Sequence, residues 1–168
     1  SASLNPFMTE IPIDELSKTY DCSFTEGYVE ENTNEEMLEK IKDTVLDKDV
    51  VLFFTGSPKS YDSEGYDRAH MLIPSDHVKV FEEILKYNTN VVLVLNNGSA
   101  LDISPFMKAR GIIEAWFLGG ANSKALVNII SGEVFALIPT LPKIILPGFI
   151  ENPFVPFLPF DCRNLSLL

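Results

Sequence analysis

In the run Ser63-Glu64-Gly65-Tyr66-Asp67-Arg68, the carboxylate of Glu64 is the group in this chain best suited to proton transfer. A general acid must keep its proton near neutral pH, which for a glutamate requires burial under a substrate or negative charge nearby. Asp62 and Asp67 supply such charge and favour the protonated form, whereas Arg68 opposes them. Gly65 opens backbone conformations closed to other residues, so the segment can swing its carboxylate into a cleft. A lone loop glutamate is more often simply solvated, and Asp67-Arg68 reads first as a structural pair that pins the loop.

Other polar groups carry weaker signals. His70 and His77 lie seven apart, off the strands, and read as surface or helix-flanking residues rather than metal ligands. Cys22 and Cys162 lack metal-ligand spacing; two unrelated thiols is the default, with a disulfide between them left open. Asn97-Gly98-Ser99 has neither the glycine spacing of a phosphate loop nor that of a nucleophile elbow and reads as a strand-end turn. Trp116 has the chemistry to stack on a sugar ring, but at the end of a buried strand a core role is the stronger expectation. No cofactor and no metal is expected.

Glu64 sits in a connection, residues 57–75, far longer than the roughly 4–6 residues that usually join elements in a compact domain. It leaves the carboxyl end of an apolar strand at 50–54, where ligands and catalytic groups of α/β sheets gather. Around it strand and helix alternate. A weak strand at 19–24 precedes a helix to about 47, opened by a capping box of Thr33 and Glu36, with Met37, Leu38, Ile41, Val45 and Leu46 on its buried face. Ser75 caps a helix to about 87 with Val78, Phe81, Ile84 and Leu85 inward. Strands follow at 91–95 and 112–117, with a short helix from Ser104-Pro105 between them, and a last helix at about 123–130 ends at Gly132. Strands apolar on both faces need cover on both sides. The predicted fold is therefore α/β, a doubly wound, mainly parallel sheet with helices on both faces.

Residues 1–18 read as an N-terminal extension, 19–134 as the α/β domain and 135–168 as a separate tail. That tail holds six of the eleven prolines and five of the twelve phenylalanines, and its repeated proline forbids a regular helix and a central strand. Wrapping the domain, adding an edge strand and packing against another molecule, including a second copy, remain open for it. It is formally neutral, so the whole net charge of −11 lies upstream. With no basic stripe, neither nucleic acid nor an anionic membrane is an expected partner. No stretch has the roughly 20 apolar residues of a membrane helix and no signal peptide is visible. The cytoplasm is the expected compartment.

Taken together, Phe53-Phe54-Thr55-Gly56, the Ser63–Arg68 run, Leu72-Ile73-Pro74, the stretch NVVLVLNNG at 90–98, Ala115-Trp116-Phe117-Leu118-Gly119 and ALVNIISGEV at 125–134 resemble the C-terminal sandwich domain of glycoside hydrolase family 3, in its order and spacing. The resemblance covers residues 21–134, and Glu-Gly-Tyr-Asp-Arg is its most specific part. In many β-glucosidases of the family the glutamate matching Glu64 is the general acid/base, presented to a cleft on a (β/α)8 barrel whose aspartate is the nucleophile of a retaining double displacement. The resemblance thus implies a hydrolase of terminal β-D-glucosides, with Glu64 catalytic, Asp67 and Arg68 supporting the loop, and a carbohydrate substrate shared with a barrel. This chain carries no barrel and so is expected to be inactive alone. After residue 134 it also departs from the family's usual Asn-Pro-Ser-Gly continuation. The competing expectation is a noncatalytic α/β binding or scaffold module.

Overall fold

The computed structural model describes residues 10–28, 33–58, 60–61, 65, 68–117, 122–134 and 164–168. In chain order these form α1 (Pro12–Leu16), β1 (Asp21–Phe24), α2 (Glu35–Val45), β2 (Val50–Gly56), α3 (Ser75–Leu85), β3 (Val91–Asn96), a 3-10 turn (Ser104–Phe106), β4 (Gly111–Glu114), α4 (Asn122–Ser131) and β5 (Asn164–Leu167). The five strands make one sheet in the order β1-β5-β2-β3-β4, and every pairing is parallel.

The period-2 alternation of strand side chains divides the core into two layers. Val51 and Phe53 of β2 and Leu93 and Leu95 of β3 pack on one face with Ile41 and Val45 of α2 and Val80, Phe81 and Ile84 of α3. Val50, Leu52, Val92 and Val94 point the other way, with Leu165 and Leu167 of β5, against Leu16 of α1 and Leu126, Val127 and Ile130 of α4. The doubly wound α/β fold is therefore as the sequence predicts. Each such side chain, fully buried, favours the folded state by about 1.5–3 kcal/mol. Gly132 ends α4 with φ 79°, as its position after the last apolar residue implies.

Several local expectations fail for identifiable reasons. The cap of α2 is Asn34, whose side chain accepts from the Met37 N–H at 3.0 Å; the Thr33 N–H instead donates to Asp76 Oδ2 at 3.0 Å. Asparagine caps at least as well as threonine, so the helix starts one residue later. Ser75 is the first residue of α3 and Pro74 its cap. Leu46 lies just past α2 and is exposed. Within the segment set apart as a tail, residues 164–167 form neither an edge strand nor a wrap but the interior strand β5, in register with both β1 and β2. They lie beyond the last proline, Pro159, so nothing there removes a ladder donor. The rest of that tail, 135–163, lies outside the described residues. Among the described residues no helix is long and apolar enough to cross a membrane.

Candidate active site

Strand β2 delivers Thr55, Gly56 and Ser57 to the carboxyl edge of the sheet, beside Asn96 and Asn97 from β3. The two strands approach so closely here that a Cβ on Gly56 would lie 1.8 Å from the Asn96 carbonyl oxygen. The connection 57–75 begins at this point. Glu64 and Asp67, and with them the predicted acid and its neighbour, lie outside the described residues. Arg68 does not. Its Nη1 donates to Ser99 Oγ at 2.7 Å and, at 3.5 Å, to Ser57 Oγ, and its Nη2 donates to the Ala100 carbonyl at 2.6 Å. The planar guanidinium thus bridges the base of its own loop and the turn after β3, a use that its fixed fork of donors suits. The returning limb is held again where the Asp102 N–H donates to the Met71 carbonyl at 2.7 Å and Leu72 bridges Asp102. Near the outgoing limb the Tyr61 and exposed His70 rings meet edge to face at 5.4 Å.

Beneath this loop base lies a buried polar group that the sequence reading misplaced. His77 is 2% exposed, not a surface residue. Its Nδ1 is 2.7 Å from Thr55 Oγ1, and the Tyr28 ring stacks on the imidazole at 3.6 Å between centroids. Tyr28 in turn donates its hydroxyl to the Phe54 carbonyl at 3.0 Å. Burial pushes the His77 pKa down to about 4, only partly offset by Asp76, so the ring is neutral at pH 7. A signal was present: His77, Val80, Phe81 and Ile84 share helical spacing and one buried face.

On the other side of β3, Asn97 and Glu114 share the same edge. Leu95 is the register partner of both Thr55 and Glu114, which places these three on one row across the sheet. Asn97 is fully buried; its Nδ2 donates to the Ser99 carbonyl at 2.9 Å while its Oδ1 has no partner among the described residues. The Glu114 carboxyl is pushed above its ordinary pKa by burial, against hydrogen bonds from the Trp116 N–H and the Asn97 side chain, and its Oε1 is unpartnered among the described residues. Trp116 does not take the core role expected of it. Its φ is 53°, which turns the indole out to 40% exposure, and Phe117 follows at 68%. Cys22, half-buried in β1, is a free thiol away from this edge; Cys162 is outside the described residues. An apolar cavity of about 610 Å³ opens at the β1–β5 side, lined by Phe24, Tyr28, Phe54 and Leu168 among others, and includes none of Arg68, Ser99 or Glu114.

A parallel, doubly wound sheet whose carboxyl edge carries a long arginine-clamped connection defines an α/β domain built to present groups at that edge. The model of the glycosyl hydrolase family 3 C-terminal domain matches residues 1–136, and the chain belongs to this family. The match takes in residues 1–18 as well, consistent with Leu16 in the core. The thermostable beta-glucosidase B of Acetivibrio thermocellus is 36% identical over 113 residues, 66% of this chain and 15% of that protein. An exo-alpha-(1->6)-L-arabinopyranosidase of Bifidobacterium longum is 41% identical over 93 residues, 55% of this chain and 12% of the relative. The crystal structure of a Bifidobacterium adolescentis GH3 beta-glucosidase superposes with a TM-score of 0.73 at 34% identity, over 77% of this chain and 20% of its own. The chain therefore spans about one eighth to one fifth of the length of these relatives.

Proposed function

We propose that this chain is the acid/base-bearing domain of a retaining β-glucosidase, with Glu64 as the general acid/base and the nucleophile on a (β/α)8 barrel outside this chain. The observation that carries the reading is the Arg68 clamp. Glu64 precedes Arg68 by four residues, a chain reach of at most about 14 Å, so the clamp of Arg68 on Ser99 and Ala100 supports a role for Glu64 at this edge, where such sheets do chemistry. Asp67 and Arg68 support the loop and do not react.

In this reaction an aspartate of the barrel attacks the anomeric carbon while Glu64 gives its proton to the departing glycosidic oxygen. The Glu64 carboxylate then takes a proton from water, whose oxygen displaces the aspartate and releases the sugar. The two carboxyl groups must come within about 5–5.5 Å for this retaining route. The substrate is accordingly a β-D-glucoside held between two domains, and the chain alone is inactive. Neither nucleic acid nor membrane is a proposed partner.

The test is to supply the barrel of a family 3 β-glucosidase, in trans or by fusion. Restored hydrolysis of an aryl β-glucoside, lost in Glu64→Ala and partly recovered with azide, supports the assignment. A folded fusion that hydrolyses nothing, or one indifferent to Glu64→Ala, points instead to a noncatalytic α/β binding or scaffold module.

A further inference from the structure

We propose that residues 1–9 fill the apolar cavity at the β1–β5 side, with Phe7 and Met8 seated against Phe24, Phe54 and Leu168. This concerns how the domain completes its own surface and stands independently of the role of Glu64.

The cavity lies where three parallel strands end. Phe24 is the last residue of β1, Leu167 the last of β5, and Phe54 lies two residues before the end of β2. All three line a space of about 610 Å³, together with Ile11, Tyr28 and Leu168. Two of its walls stand open to water, Phe24 at 59% exposure and Ile11 at 53%. A contiguous apolar surface of this kind calls for an apolar cover.

The chain itself says which segment supplies that cover. Residues 1–9 run into the cavity wall, because Ile11 is part of it. Phe7 and Met8 precede Ile11 by four and three residues, a reach of at most about 14 Å. In a chain of net charge −11, the stretch Ser-Ala-Ser-Leu-Asn-Pro-Phe-Met-Thr bears no charged side chain. Residues 29–32 also adjoin the cavity through Tyr28, but Val-Glu-Glu-Asn would carry two carboxylates into an apolar space, which is costly. Residues 135–163 lead into β5 at Asn164, which pairs with Asp21 at the amino end of the sheet, the edge remote from the cavity.

The backbone favours the same segment. Ile11 is extended, with φ −112° and ψ 129°, as a residue before proline prefers, so the chain enters α1 as extended strand. Asn5 precedes Pro6 and is restricted in the same way, which lowers the entropy lost when the segment docks. The family match takes in residues 1–9 along with the rest of the domain.

Phe7→Trp combined with Trp116→Phe leaves position 7 as the sole indole of the chain. Its emission is expected to be blue-shifted in buffer and several-fold less quenched by acrylamide than in urea. Phe24→Lys, which puts a charge on the cavity wall at the edge strand, should undo both while circular dichroism stays native. Ile11→Lys serves if Phe24→Lys does not fold. An indole as accessible in buffer as in urea overturns the proposal, as does shielding that persists in the folded wall variant. Shielding that fades on dilution would put the segment of a second copy in the cavity, and saturable binding of N-phenyl-1-naphthylamine by the native chain would show the cavity open to small apolar molecules; either result also overturns it.

Discussion

Leu165 lies directly opposite Val50 in the parallel ladder, so the last strand of the sheet borders the strand that launches the candidate catalytic loop. Leu165 is fully buried, and Leu167 and Leu168 are nearly so. The Phe54 N–H also donates to the Leu168 carbonyl at 2.8 Å, which extends the contact almost to the end of β2.

Removing residues 164–168 should therefore abolish the cooperative fold. Replacing one buried leucine by alanine costs about 2–5 kcal/mol, and a domain is stable by only about 5–15 kcal/mol. Leu165→Ala should lower the urea midpoint by an amount in that single-residue range, while the truncated chain should lack a sigmoidal transition. A truncated chain with native circular dichroism and an unchanged midpoint would show β5 to be dispensable.

Two glycines on the same edge should respond differently to alanine. At Gly56 the new methyl meets a backbone oxygen of the neighbouring strand, which cannot yield without parting β2 from β3. We expect Gly56→Ala to cost at least about 2 kcal/mol, toward the severe end of overpacking. At Gly98 it meets the movable ring of Phe117, and Gly98→Ala should change the melting temperature little. Thermal denaturation of the pair checks the contrast, and equal losses would refute it.

His77 gives stability a pH dependence of known sign. The unfolded imidazole takes a proton below its ordinary 6.5, whereas the buried ring stays neutral down to about 4. Between those values the unfolded state binds more protons, so stability falls as pH falls, by up to about 3 kcal/mol. Glu114, raised by burial, works in the opposite sense, adding stability below its ordinary 4.5 that is lost as pH rises through its folded value. Asp76 is held low by the Thr33 N–H and by Lys79, so its stabilisation is present above 3.8 and lost as pH falls through its lowered folded value. The contrast that isolates His77 is urea midpoint against pH for the native chain and for His77→Asn. The variant should be flatter between pH 6.5 and 4, and parallel curves would remove His77 as the cause.

Arg68→Lys keeps the charge but replaces a fork of donors by one ammonium, which cannot serve Ser99 Oγ and Ala100 O in the same geometry. Limited proteolysis within 57–75 should speed up several-fold with little change in melting temperature. An unaltered cleavage rate would mean that the clamp does not hold the loop.

What could be read from the sequence follows what leaves a periodic mark. Val50–Phe54 and Val91–Leu95 announce themselves because an interior parallel strand is apolar on both faces. β5 does not: it is four residues long, follows a proline-rich stretch, and its apolar run is broken by the buried Ser166. His77 is legible through its spacing with Val80, Phe81 and Ile84, whereas its place off the strands points to the surface. The kink at Trp116 leaves no pattern, because a single positive φ after a strand end has no side-chain periodicity. Glu64 stood out by its neighbours and by family resemblance; a loop carboxylate has no periodicity.

The position of β5 also has a consequence during synthesis. β1 and β2 leave the ribosome long before the strand that belongs between them, after α3, β3, β4, α4 and the proline-rich stretch. Until then the nascent sheet has a vacant slot, bordered by two strand edges with unpaired amides and carbonyls. The order of translation thus makes the pairing of β5 with β1 and β2 the last strand pairing the sheet can complete.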